Sequence, residues 1–317
     1  MSSTSDGDDQ GWRQNALSLF RNETAAAVLY MLALLGGLAV CYFVFAAKLQ
    51  FPSRRRAAWL KASATSLILH CLMGACSSVI WALLHRTQAQ VDERGRAATS
   101  QTKRTQQSAG IYTDAISSWF HYTTQTLLFI TVVATCASMS TARRSGKAPE
   151  MCLTAAYMLG ILVAALASVV VALEITRYHF ATHRVGRVKA VDIAIVGAHI
   201  GLVLHCIMVA AAVFATAVAA ATVRRSVRVG GPDKPAKLAA FGGIFLMISA
   251  LTQLACNVRF GWVVVVVVTE WGAPPAYMYV LSVIFDTWPL LGALALLYMS
   301  AKSWNKGLTK LQIGEVA

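Results

Sequence analysis

Long apolar runs alternate along this chain with short stretches crowded with Arg, Lys, Gly, Ser and Pro. A helix that crosses a bilayer needs about 20 apolar residues, because the hydrocarbon layer is about 30 Å thick and each residue rises about 1.5 Å. Seven runs meet that length, roughly Thr24–Ala47, Ala57–Leu84, Ala115–Met139, Met151–Leu173, Val191–Thr222, Leu238–Asn257 or beyond, and Pro275–Met299. Between them, Pro52-Ser-Arg-Arg-Arg56, Arg143-Arg-Ser-Gly-Lys147 and Arg228-Val-Gly-Gly-Pro-Asp-Lys-Pro235 read as loops. The pattern predicts an all-α fold, a polytopic membrane protein built as a seven-transmembrane-helix bundle. Its parts are a short polar N-terminus over residues 1–23, the membrane domain over 24–299 and a short tail over 300–317.

Composition agrees. The 317 residues are 57% hydrophobic and 13% charged, against roughly 45–50% and about 25% in soluble domains, which excludes an ordinary soluble fold. The net charge of +14 matters chiefly through its placement. Sixteen of the 28 Lys and Arg lie in the odd-numbered loops and the C-terminal tail, with only Glu150, Asp233 and Glu315 as acids. The opposite side carries twelve basic and ten acidic residues. By the positive-inside rule the N-terminus is outside and the C-terminus cytoplasmic. The basic runs face lipid headgroups rather than nucleic acid, so the expected partners are membrane lipids, in the plasma membrane or an endomembrane. Met1–Glu23 has no basic region leading into a short apolar one, so it is not read as a cleaved signal peptide and the first helix serves as insertion signal. Trp59 and Trp304 fall near the inner boundary and Trp81, Trp119 and Trp271 near the outer one.

Several local features are less regular. Asn22-Glu23-Thr24 is an N-glycosylation acceptor triplet on the outer side. All seven Cys lie within or beside apolar runs with no CxxC pair, and read as buried small hydrophobes. His85–Asp114 is the longest polar interval and reads as a mobile outer loop. The apolar run Leu238–Trp271 is too long for one upright span. Either its helix continues past the bilayer, or it stops near Asn257 and Val263–Val268 forms an extended or re-entrant piece.

Ionisable groups inside spans are costly and therefore mark candidate sites. They are His70, His121, His199, His205 and Asp286, with Glu174, Arg259 and Glu270 near the outer boundary. Asp286 stands out. It lies near mid-depth and precedes Pro289, which lacks the N–H that would serve the Phe285 carbonyl. Asp286, the Thr287 hydroxyl and that freed carbonyl can together hold water, a proton or a cation. A span shifted outward would let Arg259 pair with Asp286. The four membrane histidines raise haem ligation, with His70 and His205 at one depth and His121 and His199 at another. His199 and His205 are six residues apart and point to different faces, so haem is disfavoured and no cofactor or metal is expected.

The stretch from Asn257 to Met299 has an Arg at the outer end of the sixth helix, a Glu and aromatics in the last outer loop, and Phe285-Asp286-Thr287-Trp288-Pro289-Leu290 in the seventh. It resembles fungal seven-helix proteins of the lipid-translocating exporter (aminocholesterol-resistance) type, which commonly carry Phe-Asp-x-x-Pro there. The resemblance covers about an eighth of the chain, with Val283 where that family tends to have Tyr. It implies a membrane protein handling lipids. Other seven-helix classes are excluded by single residues. Pro275–Met299 has no Lys for a retinal Schiff base, and the Asp-Arg-Tyr and Asn-Pro-x-x-Tyr elements of many G-protein-coupled receptors are missing.

The sequence therefore favours a protein that binds, senses or translocates a lipid-like or amphipathic small molecule through a polar outer-half cavity. Its candidate ligand- or proton-binding residues are Asp286, Thr287, His121, His199 and Arg259, and Asn22 is the candidate glycosylation site. The alternative is a membrane-embedded biosynthetic enzyme, such as a cyclase of fungal secondary metabolism, with Asp286 or Glu174 as proton donor. No phosphate-binding glycine loop supports primary active transport.

Overall fold

The computed structural model describes residues 5–46, 54–94, 100–141, 148–182, 187–228, 234–259 and 275–314. All secondary structure among them is helical: α1 (Ser5–Ala46), α2 (Arg54–Arg94), α3 (Ser100–Thr141), α4 (Ala148–Thr182), α5 (Arg187–Arg228), α6 (Lys234–Cys256), α7 (Tyr277–Ser282), a π-helical turn (Val283–Thr287) and α8 (Trp288–Gly314). The last three form one continuous span, so seven helices are long and apolar enough to cross a membrane. The chain is by these criteria an integral, multi-pass membrane protein.

Proline punctuates the fold. Each of the seven prolines falls within a few residues before a helix start or in its first turn, as at Pro149 in α4, Pro235 in α6 and Pro289 in α8. At Pro149 and Pro235 the missing N–H costs nothing and the fixed φ suits the helix, whereas Pro289 follows directly on the π turn inside the last span. The converse explains where the sequence reading falls short. Residues 5–46 and 54–141 contain no proline, and the helices run well past the apolar runs. α1 begins at Ser5, so most of the expected polar N-terminus is helix, and α8 carries the expected tail to Gly314. Within the expected mobile loop over His85–Asp114, residues 85–94 are the end of α2 and residues 100–114 the first turns of α3. Polarity signals departure from the bilayer and not the end of a helix. α6 likewise runs past Asn257, closing with π-helical residues 257–259. Val263–Val268, Glu270 and Trp271 lie outside the described residues.

Successive helices are neighbours, and the seventh span closes the ring against α1. α3 sits inside it, touching α2, α4, α5, α6 and α8. Of its apolar window 83% is buried, against 22% for α1 and α4. The most buried span is also the least apolar of the seven. That inversion is physical: lipid solvates Leu and Phe well, so the most apolar helices face outward and the polar one is placed among protein partners. Leu35, Tyr42 and Phe43 on α1 and Met158, Ile161 and Leu162 on α4 are accordingly exposed. The interior core joins Leu128, Val132, Val133 and Cys136 of α3 to Leu67 and Cys71 of α2 and to Leu290, Leu294 and Leu297 of α8. Thr124, Thr126, Thr131 and Thr135 each donate to the carbonyl one turn back, which satisfies their hydroxyls inside α3 itself. α5 and α6 meet at Gly243, where a Cβ would lie 2.9 Å from Thr216 Oγ1 and 3.2 Å from its Cα. Only glycine permits that approach of two backbones.

Candidate functional site

At the end of the bundle where α1 begins, the helices part around a cavity of about 550 Å³. Its wall is polar. Glu23 and Tyr30 come from α1, His70, Ser77 and Trp81 from α2, Asp114, His121 and Tyr122 from α3, and Glu174 and Arg177 from α4. Gln253 of α6 and Tyr279 and Asp286 of the seventh span complete it. Trp81, in the last turn of the apolar run of α2, meets Asp114, one residue before that of α3. Trp81 Nε1 donates to Asp114 Oδ2 at 2.8 Å, and Ser77 donates to the other carboxylate oxygen.

The floor is set by the π turn. Pro289 has no N–H, so a regular helix would strand the carbonyl four residues back. The chain instead widens over Val283–Thr287, and the Trp288 N–H reaches the Val283 carbonyl. Such one-turn π-bulges re-aim side chains and recur at functional sites. Here Thr287 is buried, at 1% exposure, while its neighbour Asp286 keeps an edge on the cavity.

Asp286 organises the surrounding groups. Ser249 Oγ donates to Oδ1 at 2.6 Å and Gln253 Nε2 to Oδ2 at 3.2 Å. His121 Nε2 stands 3.2 Å from Oδ1. Gln125 Nε2 donates to Ser249 Oγ at 2.7 Å, extending the network behind the cavity wall. On its other edge His121 meets His70, Nδ1 to Nε2, at 3.3 Å. His70 Nε2 is also 3.1 Å from Thr287 Oγ1, and its Nδ1 is 3.1 Å from the Ser117 carbonyl and hydroxyl oxygens. Tyr30 packs edge-on against His70, with ring centroids 5.7 Å apart. Gly74 makes that possible, since a Cβ there would lie 2.7 Å from the Tyr30 ring.

Three helices thus meet at one carboxylate and two more join through His70 and Tyr30, within a low-dielectric bundle where charge-assisted hydrogen bonds are strong and unpaired groups costly. The sequence candidates divide accordingly. Asp286, Thr287 and His121 come together. Thr287 faces His70 and not the open space. His199 is exposed on α5, its Nδ1 bonded to the Ile195 carbonyl one turn back at 2.8 Å, and the cavity wall has no α5 residue. Counting residues from a helix end gives depth but not facing, and that is why His199 was grouped with His121. Arg259 is exposed at the end of α6, and the guanidinium on the cavity wall is that of Arg177. The histidines do not form pairs by depth. His70 contacts His121, and His205 faces the Tyr122 hydroxyl at 3.4 Å. Asn22 lies within α1 with its amide bonded to the Ser18 carbonyl at 2.9 Å, not in the surface loop that an acceptor triplet implies.

Sequence reasoning did not single out Glu23, Tyr30, Asp114, Ser117, Arg177 or Gln253. In the sequence both Glu23 and Asp114 sit at the polar edge of an apolar run and read as outer-side charge. The available signal was that each carboxylate sits a few residues from an apolar run with no breaker between, so its helix carries it to the bundle's interior. Compared with known protein families and with curated proteins, the chain matches none.

Proposed function

We propose that this protein binds, senses or translocates an amphipathic or lipid-like small molecule through the cavity floored by Asp286, with the N-terminus outside and the C-terminus in the cytoplasm. The observation that carries the reading is the cavity itself: about 550 Å³ of polar-walled space inside a bundle of membrane-spanning helices. That volume falls in the range of small-molecule sites, about 300–1,000 Å³. A purely hydrocarbon ligand would leave the carboxylates and hydroxyls of the wall unserved, whereas a polar head satisfies them and an apolar body packs on Ala26, Ile111 and the tyrosine rings. The excess of basic residues in the odd loops supports an orientation with the cavity in the outer half of the bilayer. The Phe285–Leu290 element behind the resemblance to lipid-translocating exporters overlaps the π turn at the cavity floor in Phe285, Asp286 and Thr287.

The test is mass spectrometry of small molecules that co-purify with the protein in nanodiscs. A molecule enriched over empty nanodiscs, and lost from Asp286→Asn, supports the reading. Equal amphipath content in both preparations refutes it. The second reading, a membrane-embedded enzyme using a buried carboxylate as proton donor, is favoured by one observation, the 3.2 Å approach of His121 to Asp286 in an accessible cavity. Metabolite profiling of a deletion strain separates the two. A lost product with accumulated precursor marks the enzyme, and a changed distribution across the membrane marks transport.

A further inference from the structure

The hydrogen bonds through the two histidines have a direction, and it can be assigned from groups that only accept or only donate. The Ser117 carbonyl only accepts. When His70 Nδ1–H donates to it at 3.1 Å, His70 Nε2 is an acceptor for the Thr287 hydroxyl at 3.1 Å and for His121 Nδ1–H at 3.3 Å. His121 Nε2 then has no hydrogen of its own, yet it faces Asp286 Oδ1 at 3.2 Å and makes no other hydrogen bond. Two acceptors opposed at a side chain only 2% exposed require one more proton between them.

The reverse direction is equally well satisfied. The Ser117 hydroxyl lies 3.1 Å from His70 Nδ1 and 3.3 Å from the His70 carbonyl, so it can donate to either. When it donates to Nδ1, His70 Nε2–H donates to His121 Nδ1 and His121 Nε2–H donates to the carboxylate. No additional proton is needed. Going from the first arrangement to the second, the N–H bond at His70 Nδ1 breaks and its proton leaves to water in the cavity. The proton on His121 Nδ1 passes to His70 Nε2, and the shared proton stays on His121 Nε2. One proton leaves, every ring nitrogen and carboxylate oxygen along the line keeps a partner, and the Thr287 hydroxyl, which can no longer donate to His70, turns to the Tyr30 hydroxyl.

We propose that His70, His121 and Asp286 hold one exchangeable proton, and that a cationic group entering the cavity displaces it. This inference rests on the cavity reading above and assigns the charge of the ligand's head. The charged and titratable groups facing Asp286 and the histidines are Glu23 and Tyr30 from α1, Asp114 and Tyr122 from α3, and Glu174 and Arg177 from α4. His205 of α5 faces Tyr122, Tyr279 comes from the seventh span, and α6 brings Cys256 with the neutral Ser249 and Gln253. Four carboxylates thus share the wall with one guanidinium. A proton on the pair and a cation in the cavity both neutralise Asp286, so each weakens the binding of the other.

The test uses full-length protein in nanodiscs with two probes of equal chain length, octyltrimethylammonium and octyl glucoside, and empty nanodiscs as blank. The quaternary cation has no proton to lose, so any proton released comes from the protein. Calorimetry in buffers of different ionisation enthalpy, from about pH 5 to about pH 8, is expected to show release of about one proton per cation bound at the acid end, and affinity rising with pH. Asp286→Asn should abolish the release. Ser117→Ala removes the hydroxyl that supports the unprotonated arrangement, and should weaken cation binding about two- to tenfold at a given pH. Cation binding without proton release, or with affinity independent of pH, overturns the proposal. Binding of the glucoside but not the cation overturns it and leaves the cavity reading standing. Binding of neither above the blank overturns both.

Discussion

Replacing Asp286 by alanine and by asparagine should give sharply different stabilities. Alanine removes the acceptor for Ser249, which is fully buried, and the partner of His121, at 2% exposure, and also releases Gln253. A buried polar group left unpaired costs about 1–3 kcal/mol. Ser249 and His121 alone then amount to about 2–6 kcal/mol, with Gln253 discounted because it reaches the cavity. Asparagine keeps one oxygen for Ser249. Its amide then faces the Gln253 amide, but Gln253 Oε1 has no partner, so turning that side chain over restores the bond. What is lost is the charge-assisted share of two hydrogen bonds, about 1–2 kcal/mol. Unfolding in mixed micelles, followed by tryptophan fluorescence, measures both. Alanine and asparagine of equal cost, or alanine without cost, would refute the network drawn around this carboxylate.

Other consequences are as specific. Gly243→Val drives a side chain into the Thr216 backbone and should cost about 1–3 kcal/mol in the same assay. Gly197→Ala, whose Cβ meets only Leu173 at 3.9 Å, should be silent or slightly stabilising. His199→Ala should leave stability within about 0.5 kcal/mol and amphipath binding unchanged, since its ring is exposed on α5. His70→Ala should cost about 2 kcal/mol or more by orphaning Thr287 and His121. A tag placed before Met1 should react with a membrane-impermeant reagent on intact cells or right-side-out vesicles, and one placed after Ala317 should not.

The bundle was legible in the sequence because a bilayer imposes one length on every span, and seven apolar runs of that length cannot be hidden. Helix ends were less so. Outside the bilayer, water solvates Gln, Ser and Arg on a helix as readily as in a loop, so the reading stopped at Leu84 and resumed at Ala115 where the chain only left the membrane. Asp286 was found because its chemistry is local, a carboxylate three residues before a proline in an apolar run. Its partners were not local. His70 meets Thr287 across 217 positions, and Gln125 meets Ser249 across 124. Which helix neighbours which depends on packing, and depth alone joined His121 to His199 when rotation about the axis separates them.

Charge bookkeeping failed in an instructive way. In the sequence Glu23 and Asp114 count toward a nearly neutral outer side and Glu174 stands as a separate boundary carboxylate; their juxtaposition around one space appears only when α1, α3 and α4 are assembled. The acids that balanced the topology count are the acids that give the cavity its sign.

Photolabelling with an amphipath carrying a diazirine beside its head group tests the central claim most directly. In nanodiscs, mapped by peptide mass spectrometry, label should concentrate on the cavity wall at residues such as Tyr122, Glu174 and Tyr279, and be competed away by excess unlabelled amphipath. Label confined to the lipid-facing side chains of α1 and α4, such as Leu35, Phe43 and Ile161, and insensitive to competitor, would contradict the account.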